Sequence, residues 1–136
     1  MGLFDKLRNV KDAVGEAIES AAAYAKADDF LIERIDEMLS KSWEKVRERR
    51  PVTVAGISLE SESEYNFVYR AECGLVHVEM EHEFPFLEIE MRRGMKKLEK
   101  RLKVADFVEV QGKDFMLKNR ETLESILAEM MRAICS

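Results

Sequence analysis

Acidic side chains at alternate positions are the feature of this 136-residue chain that most suggests chemistry. His77, Glu79, Glu81 and Glu83 recur at the strand period of two, so a strand would point all four to one face. A tight turn at Phe84-Pro85 then brings Glu88 opposite Glu81 and Glu90 opposite Glu79. Like charges directly across a ladder repel, so something must offset them. A nearby basic segment would do so. So would a hard divalent ion, Ca²⁺ or Mg²⁺, held by carboxylate oxygens on a cation face of His77, Glu79, Glu81, Glu88 and Glu90. No Asp-rich loop accompanies these residues, and no resident metal or cofactor is expected.

Catalytic groups are sparse. His77 and His82 are five apart, an odd spacing that puts them on opposite faces of a regular strand and prevents joint chelation of one ion. Set against Leu87 and beside Tyr65, His82 reads as a hydrogen-bonded histidine at the edge of the core. No nucleophile–base pair can be assembled at workable spacing, so no catalytic residue is assigned and the chain is not expected to be an enzyme. Neither G-x-x-x-x-G-K-[ST] nor G-x-G-x-x-G occurs, which excludes nucleotide binding by those loops. Cys73 and Cys135 form no C-x-x-C pair. A disulfide between them is left open, but the apolar Met131, Ala133 and Ile134 favour a half-buried free thiol and a reducing, cytoplasmic home.

The net charge is −5, and it is unevenly placed. Residues 52–91 hold nine Glu against Arg70 alone, whereas residues 92–103 hold seven Lys or Arg against Glu99 alone. Met91, Met95, Leu98 and Leu102 recur in that second stretch as on a helix, which predicts a basic helix whose Arg92, Arg93, Lys96, Lys97, Lys100 and Arg101 can attract an anion. The acidic whole, without exposed aromatics for base stacking, argues against nucleic acid.

The remaining elements follow from periodicity. Residues 64–91 read as a three-stranded meander. A first turn at Cys73-Gly74 pairs Ala71 with Val76, Tyr69 with Val78, Phe67 with Met80 and Tyr65 with His82. A second at Phe84-Pro85 sets Leu87 against His82, Ile89 against Met80 and Met91 against Val78. Both turns send the apolar side chains to one face. Asp28 or Asp29 is placed to cap a helix carrying Leu31, Ile32, Ile35, Met38, Leu39, Ser42, Trp43 and Val46 as far as Pro51. Val52–Glu60 reads as a strand bulged at Gly56. Val104–Val110 and Phe115–Lys118 form a hairpin that pairs Val110 with Phe115 and Val108 with Leu117, and Asn119 opens a last helix with Leu123, Ile126, Leu127, Met130 and Ile134 inward. The fold class is α+β: a mainly antiparallel sheet, meander plus second hairpin, covered by helices and preceded by an N-terminal helical segment. Residues 1–27 form that segment and residues 28–136 a single domain.

Leu3, Phe4, Leu7, Val10, Val14 and Ile18 make a narrow apolar stripe at helical spacing, with acids among the bases, so the segment reads neither as a signal peptide nor as a transit peptide. Its opening, Gly2-Leu3-Phe4-Asp5-Lys6-Leu7, resembles the start of short membrane-active amphipathic peptides. The stripe therefore offers a face to a protein partner, to a second copy or to a membrane surface. In size, acidity and element order, residues 28–136 also resemble the small dimeric chaperones of type III secretion. That resemblance implies binding of an extended polypeptide by apolar grooves and sheet edges. The reading for the whole chain is a cytoplasmic, non-enzymatic interaction module that self-associates and can lie at a membrane. A chaperone or adaptor is the alternative, and a cation- or anion-binding domain comes third.

Overall fold

The structure is a computed structural model, and it describes residues 21–51, 53–54, 57–58, 64–83 and 85–136, with side-chain surroundings from residue 26 onward except at 53–54 and 57–58. In chain order the elements are α1 (Ala21–Leu39), β1 (Glu44–Arg49), β2 (Thr53–Val54), β3 (Ile57–Ser58), β4 (Glu64–Ala71), β5 (Gly74–Glu83), β6 (Phe86–Arg93), β7 (Lys96–Lys103), α2 (Val104–Phe107), β8 (Val108–Gln111), β9 (Asp114–Leu117) and α3 (Arg120–Ile134). Five strands form one sheet in the order β1-β4-β5-β6-β7, and β2-β3 and β8-β9 are separate two-stranded ribbons. Every pairing in the large sheet is antiparallel. The α+β architecture is the one the sequence predicts.

The inner face of the sheet is apolar because β4, β5 and β6 alternate in phase. Tyr65, Phe67, Tyr69, Val76, Val78, Met80, Leu87, Ile89 and Met91 are all buried there. Leu31, Ile32, Ile35, Met38 and Leu39 of α1 and Leu123, Leu127, Met130 and Ile134 of α3 join them in one cluster. The second turn of the meander has the predicted register, with Leu87 opposite His82, Ile89 opposite Met80 and Met91 opposite Val78. The first turn is displaced. Ala71 pairs with Gly74, so Tyr69 meets Val76 and Phe67 meets Val78, and the reversal falls at Glu72-Cys73. A displacement of two residues leaves every side chain on its predicted face, since faces alternate with period two. Gly74 takes φ +114°, a value open to glycine and poorly tolerated by other residues.

Four expectations are corrected. The helix expected from Asp28 to Pro51 ends at Leu39, and residues 44–49 are the edge strand β1. Asp28 and Asp29 lie within α1 rather than capping it, and the helix runs unbroken through Ala27. Of the apolar period that runs on through Ser42, Trp43 and Val46, only Trp43 is buried, while Val46 is 41% exposed. The basic stretch is likewise not a helix: Lys96–Lys103 is β7, paired along its whole length with β6. Leu98 and Leu102 are four apart, a spacing that puts residues on one face in a helix and in a strand alike, and Met95, which made the period look helical, is fully exposed in the turn beside Gly94. Val52–Glu60 is no single bulged strand, for Thr53 pairs antiparallel with Ser58 and Val54 with Ile57. Finally, Val104–Phe107 forms one helical turn before the hairpin; the hairpin itself keeps the predicted pairs Val110–Phe115 and Val108–Leu117.

The cysteines are also corrected. Cys73, in the β4–β5 turn, and Cys135, just after α3, form a disulfide across 62 residues, so there is no free thiol. Closing a loop of that length contributes about 4 kcal/mol on the chain-entropy account. The bridge is possible because α3 ends over the inner face of the sheet, a contact between the two ends of the domain that spacing alone does not reveal.

Phe67 is 1% exposed at the centre of the inner face. Phe67→Ala should therefore lower stability by about 3–5 kcal/mol, read as a shift in the urea midpoint at unchanged slope. A midpoint left in place would contradict the packing described.

Candidate functional site

The outer face of the sheet gathers carboxylates because the same alternation that buries Val78, Met80, Ile89 and Met91 turns their neighbours outward. Two adjacent rows run across the strands. In one, Asn66, Glu79, Glu90 and Glu99 face one another in turn; in the next, Glu64, Glu81, Glu88 and Arg101 do so. Glu64, Glu79 and Glu81 converge, each with a carboxylate oxygen within 4.8 Å of the other two, and all three are half-buried.

The charges act strongly on one another. The Glu79 carboxyl is pushed up to about 8, first by its hydrogen bond with Glu64, then by burial and by Glu90. Burial raises Glu81, with the Glu64 and Glu83 charges adding to it, and a hydrogen bond with Glu83 raises Glu88. Glu90 is the exception: burial opposes its charge, but Lys97 Nζ at 3.0 Å holds it below the usual range. Lys97 also reaches Glu99 at 2.9 Å, and Arg101 Nε lies 3.4 Å from Glu83 Oε2. The neighbouring basic strand thus neutralises the β6 and β5 ends of the face, while on the other side Arg49 of β1 stands opposite Asn66, beside the Glu64–Glu79–Glu81 corner.

Of the predicted cation face, the structure brings Glu79 and Glu81 together and places Glu88 and Glu90 in the next strand. His77 stands one step away between Val68 and Arg92, outside the convergent trio. Glu64 was missed as a ligand. The predicted first turn would set it opposite Glu83, whereas the true register sets it opposite Glu81; the signal lay in the choice of turn. The predicted anion-binding helix is dispersed over a hairpin. Arg92, Lys97 and Arg101 turn to the acidic face, and Lys100 is exposed. Arg93 Nε donates to the Ile134 carbonyl at 2.7 Å and Lys96 Nζ to the Ser136 carbonyl at 3.0 Å. Leu3, Phe4, Leu7, Val10, Val14 and Ile18 lie outside the described residues. Among the described residues, no helix is long and apolar enough to cross a membrane.

A second polar cluster lies between α1 and the inner face. His82 is held between two successive carboxylates, with Nδ1 3.8 Å from Asp28 Oδ2 and Nε2 3.3 Å from Asp29 Oδ1. Tyr65 donates its hydroxyl to Asp29. The core-edge reading of His82 corresponds to this placement, although the sequence did not reveal its acidic partners. Two turns further along α1, Asp36 accepts from Tyr69 at 2.7 Å and from Lys45 at 2.7 Å. Burial raises Asp28, which is 1% exposed, to about 7. Burial opposes the imidazolium of His82, but Asp29 and Asp28 outweigh it and raise its pKa. Burial also opposes the Asp29 charge, and there His82 and Tyr65 prevail and lower it.

Comparison with known protein families, characterised proteins and solved structures finds no match to this chain.

The inner cluster sets a pH dependence. Asp28 rises from 3.8 to about 7 on folding, so its contribution is complete below about pH 4 and lost by about pH 7. His82, raised above 6.5, contributes fully below that value and loses its contribution as pH rises through the raised pKa. Asp29 runs the other way and loses its contribution as pH falls below its ordinary 3.8. The urea midpoint should therefore decline between about pH 5 and pH 8. Asp28→Asn should flatten that decline relative to wild type, even though Glu79 contributes to it in both proteins. An unchanged slope in the variant would clear Asp28 of the effect.

Proposed function

We propose that the protein binds a hard divalent cation, Ca²⁺ or Mg²⁺, on the outer face of its central sheet, with Glu64, Glu79 and Glu81 as its protein ligands. The observation that carries this reading is the convergence of three half-buried carboxylates within 4.8 Å of one another. Oxygen ligands of Ca²⁺ sit about 2.3–2.6 Å from the ion, so two on opposite sides are separated by about twice that distance, and the trio spans such a shell without rearranging the strands. Water would complete it. The ion would also relieve the repulsion across the β4–β5 and β5–β6 ladders, which is otherwise eased by a proton shared between Glu79 and its neighbours. Ca²⁺ is favoured over Mg²⁺ because carboxylates fixed on adjacent strands suit its looser geometry better than a strict octahedron.

A metal ion must displace the Glu79 proton, so affinity should rise with pH through about 8 and binding should release a proton. Calorimetry with Ca²⁺, Mg²⁺ and Mn²⁺ in buffers of different ionisation enthalpy measures both. Three carboxylates without a loop cage should give a dissociation constant on the order of 0.1–1 mM for Ca²⁺. Glu79→Gln should abolish binding, while Glu109→Gln, exposed on the separate β8–β9 ribbon, should not. Absence of heat and of any thermal shift with all three ions would leave the face a solvated one.

A further inference from the structure

We propose that the Cys73–Cys135 disulfide is a reversible clasp, opened by a dithiol reductant, that sets how firmly the C-terminal end of α3 is held on the sheet. Both cysteines are half-buried and belong to surface features, a hairpin turn and the residue after a helix, so an attacking thiolate can reach the bridge without the core opening. The other attachments of α3 are non-covalent and independent of it. Leu123, Leu127, Met130 and Ile134 are buried against the core, and Arg93 and Lys96 hold the carbonyls of Ile134 and Ser136. An opened bridge therefore leaves a folded domain with a looser helix end.

The same two cations favour the exchange chemistry. They bind the residues on either side of Cys135, so a thiolate formed there is met by positive charge, which offsets the unfavourable negative end of the α3 dipole. A reductant thiolate attacks Cys73 Sγ, the Sγ–Sγ bond breaks, and its electron pair leaves on Cys135 as the stabilised thiolate. The second thiol of the reductant, deprotonated, attacks the mixed disulfide and releases Cys73. The bridge gains two electrons, the dithiol becomes a disulfide, and its two protons end on the cysteines or in solvent. Freed of the clasp, the last turns of α3 carry Met131 away from the groove it lines with Met38, Ser42, Leu127 and Ala128 beside α1.

The test uses the full chain, equilibrated with dithiothreitol or with reduced and oxidised glutathione over a range of ratios. Thiols are quantified by mass tagging and backbone protection by hydrogen exchange. The expected result is that dithiothreitol opens the bridge in the folded protein, that amides of residues 128–135 exchange about tenfold faster, and that β4, β5 and β6 keep their protection. Cys135→Ser should show the same pattern without reductant. Should that variant not fold, dithiothreitol added to the folded wild type supplies the measurement. A bridge that stays closed in excess dithiothreitol overturns the proposal. So does opening that leaves α3 protection unchanged, and so does opening that removes protection from the whole sheet at once.

Discussion

Strand β5 lies at the centre of the sheet, paired on both sides, and its strict alternation fixes what each face can be. Val76, Val78 and Met80 point one way and are buried; His77, Glu79 and Glu81 point the other. With neighbours in phase, one face must become core and the other must collect carboxylates. The two consequences are inseparable, because a one-residue slip would exchange them and bury the acids. The hydrophobic packing that stabilises the fold is thus also what holds like charges together on the outside, against their repulsion.

Helix α1 covers the inner face with a second constraint laid over the first. Its apolar stripe supplies the packing, but Asp28 and Asp36 are buried with it, Asp29 lies half-exposed beside them, and all three take partners from the sheet. They find them in His82, Tyr65, Tyr69 and Lys45, which lie on three different strands. Charges taken out of water seldom add net stability, but they penalise every arrangement in which their partners are missing. The effect is to specify where α1 sits along the sheet. It also explains how the unpromising sequence Glu44–Arg49 becomes a strand: Lys45 reaches Asp36 and Arg50 reaches Glu33, so β1 is drawn to the edge beneath α1 by ion pairs rather than by apolar contacts.

What could be read from the sequence was what two independent signals agreed on. The β5–β6 and β8–β9 registers were legible because a turn and an apolar face pointed to the same pairing. The β4–β5 turn was misplaced by one residue, and the pairing by two, because either choice yields the same faces, and that ambiguity hid Glu64 from the acidic trio. Two charged edge strands were read as helices for a related reason. In Lys96–Lys103 the leucines recur at a spacing common to both periods, and in Glu44–Arg49 there is almost no apolar pattern at all. Edge strands are where such sequences belong, since charge there discourages further strands from pairing. The disulfide and the acidic partners of His82 were illegible for another reason: each joins residues brought together only by tertiary packing.

With β1 and β7 both densely charged, the sheet is poorly suited to growth at its edges, and its inner face is already covered by α1 and α3. Among the described residues, the carboxylates of the large sheet are gathered on its outer face. There β7 supplies Lys97 and Arg101 to the acids nearest it, Glu90, Glu99 and Glu83. Toward β4, at the corner of Glu64, Glu79 and Glu81, the Glu79 carboxyl is pushed up to about 8, first by its hydrogen bond with Glu64. An ion bound at that corner would lie across the β4–β5 pair, directly behind Phe67, Val78 and Met80 on the opposite face. Relief of repulsion on the outside and packing on the inside would then bear on the same two strands. A cation at the corner would stabilise the central hairpin itself, and binding there would be read out as fold stability as well as occupancy.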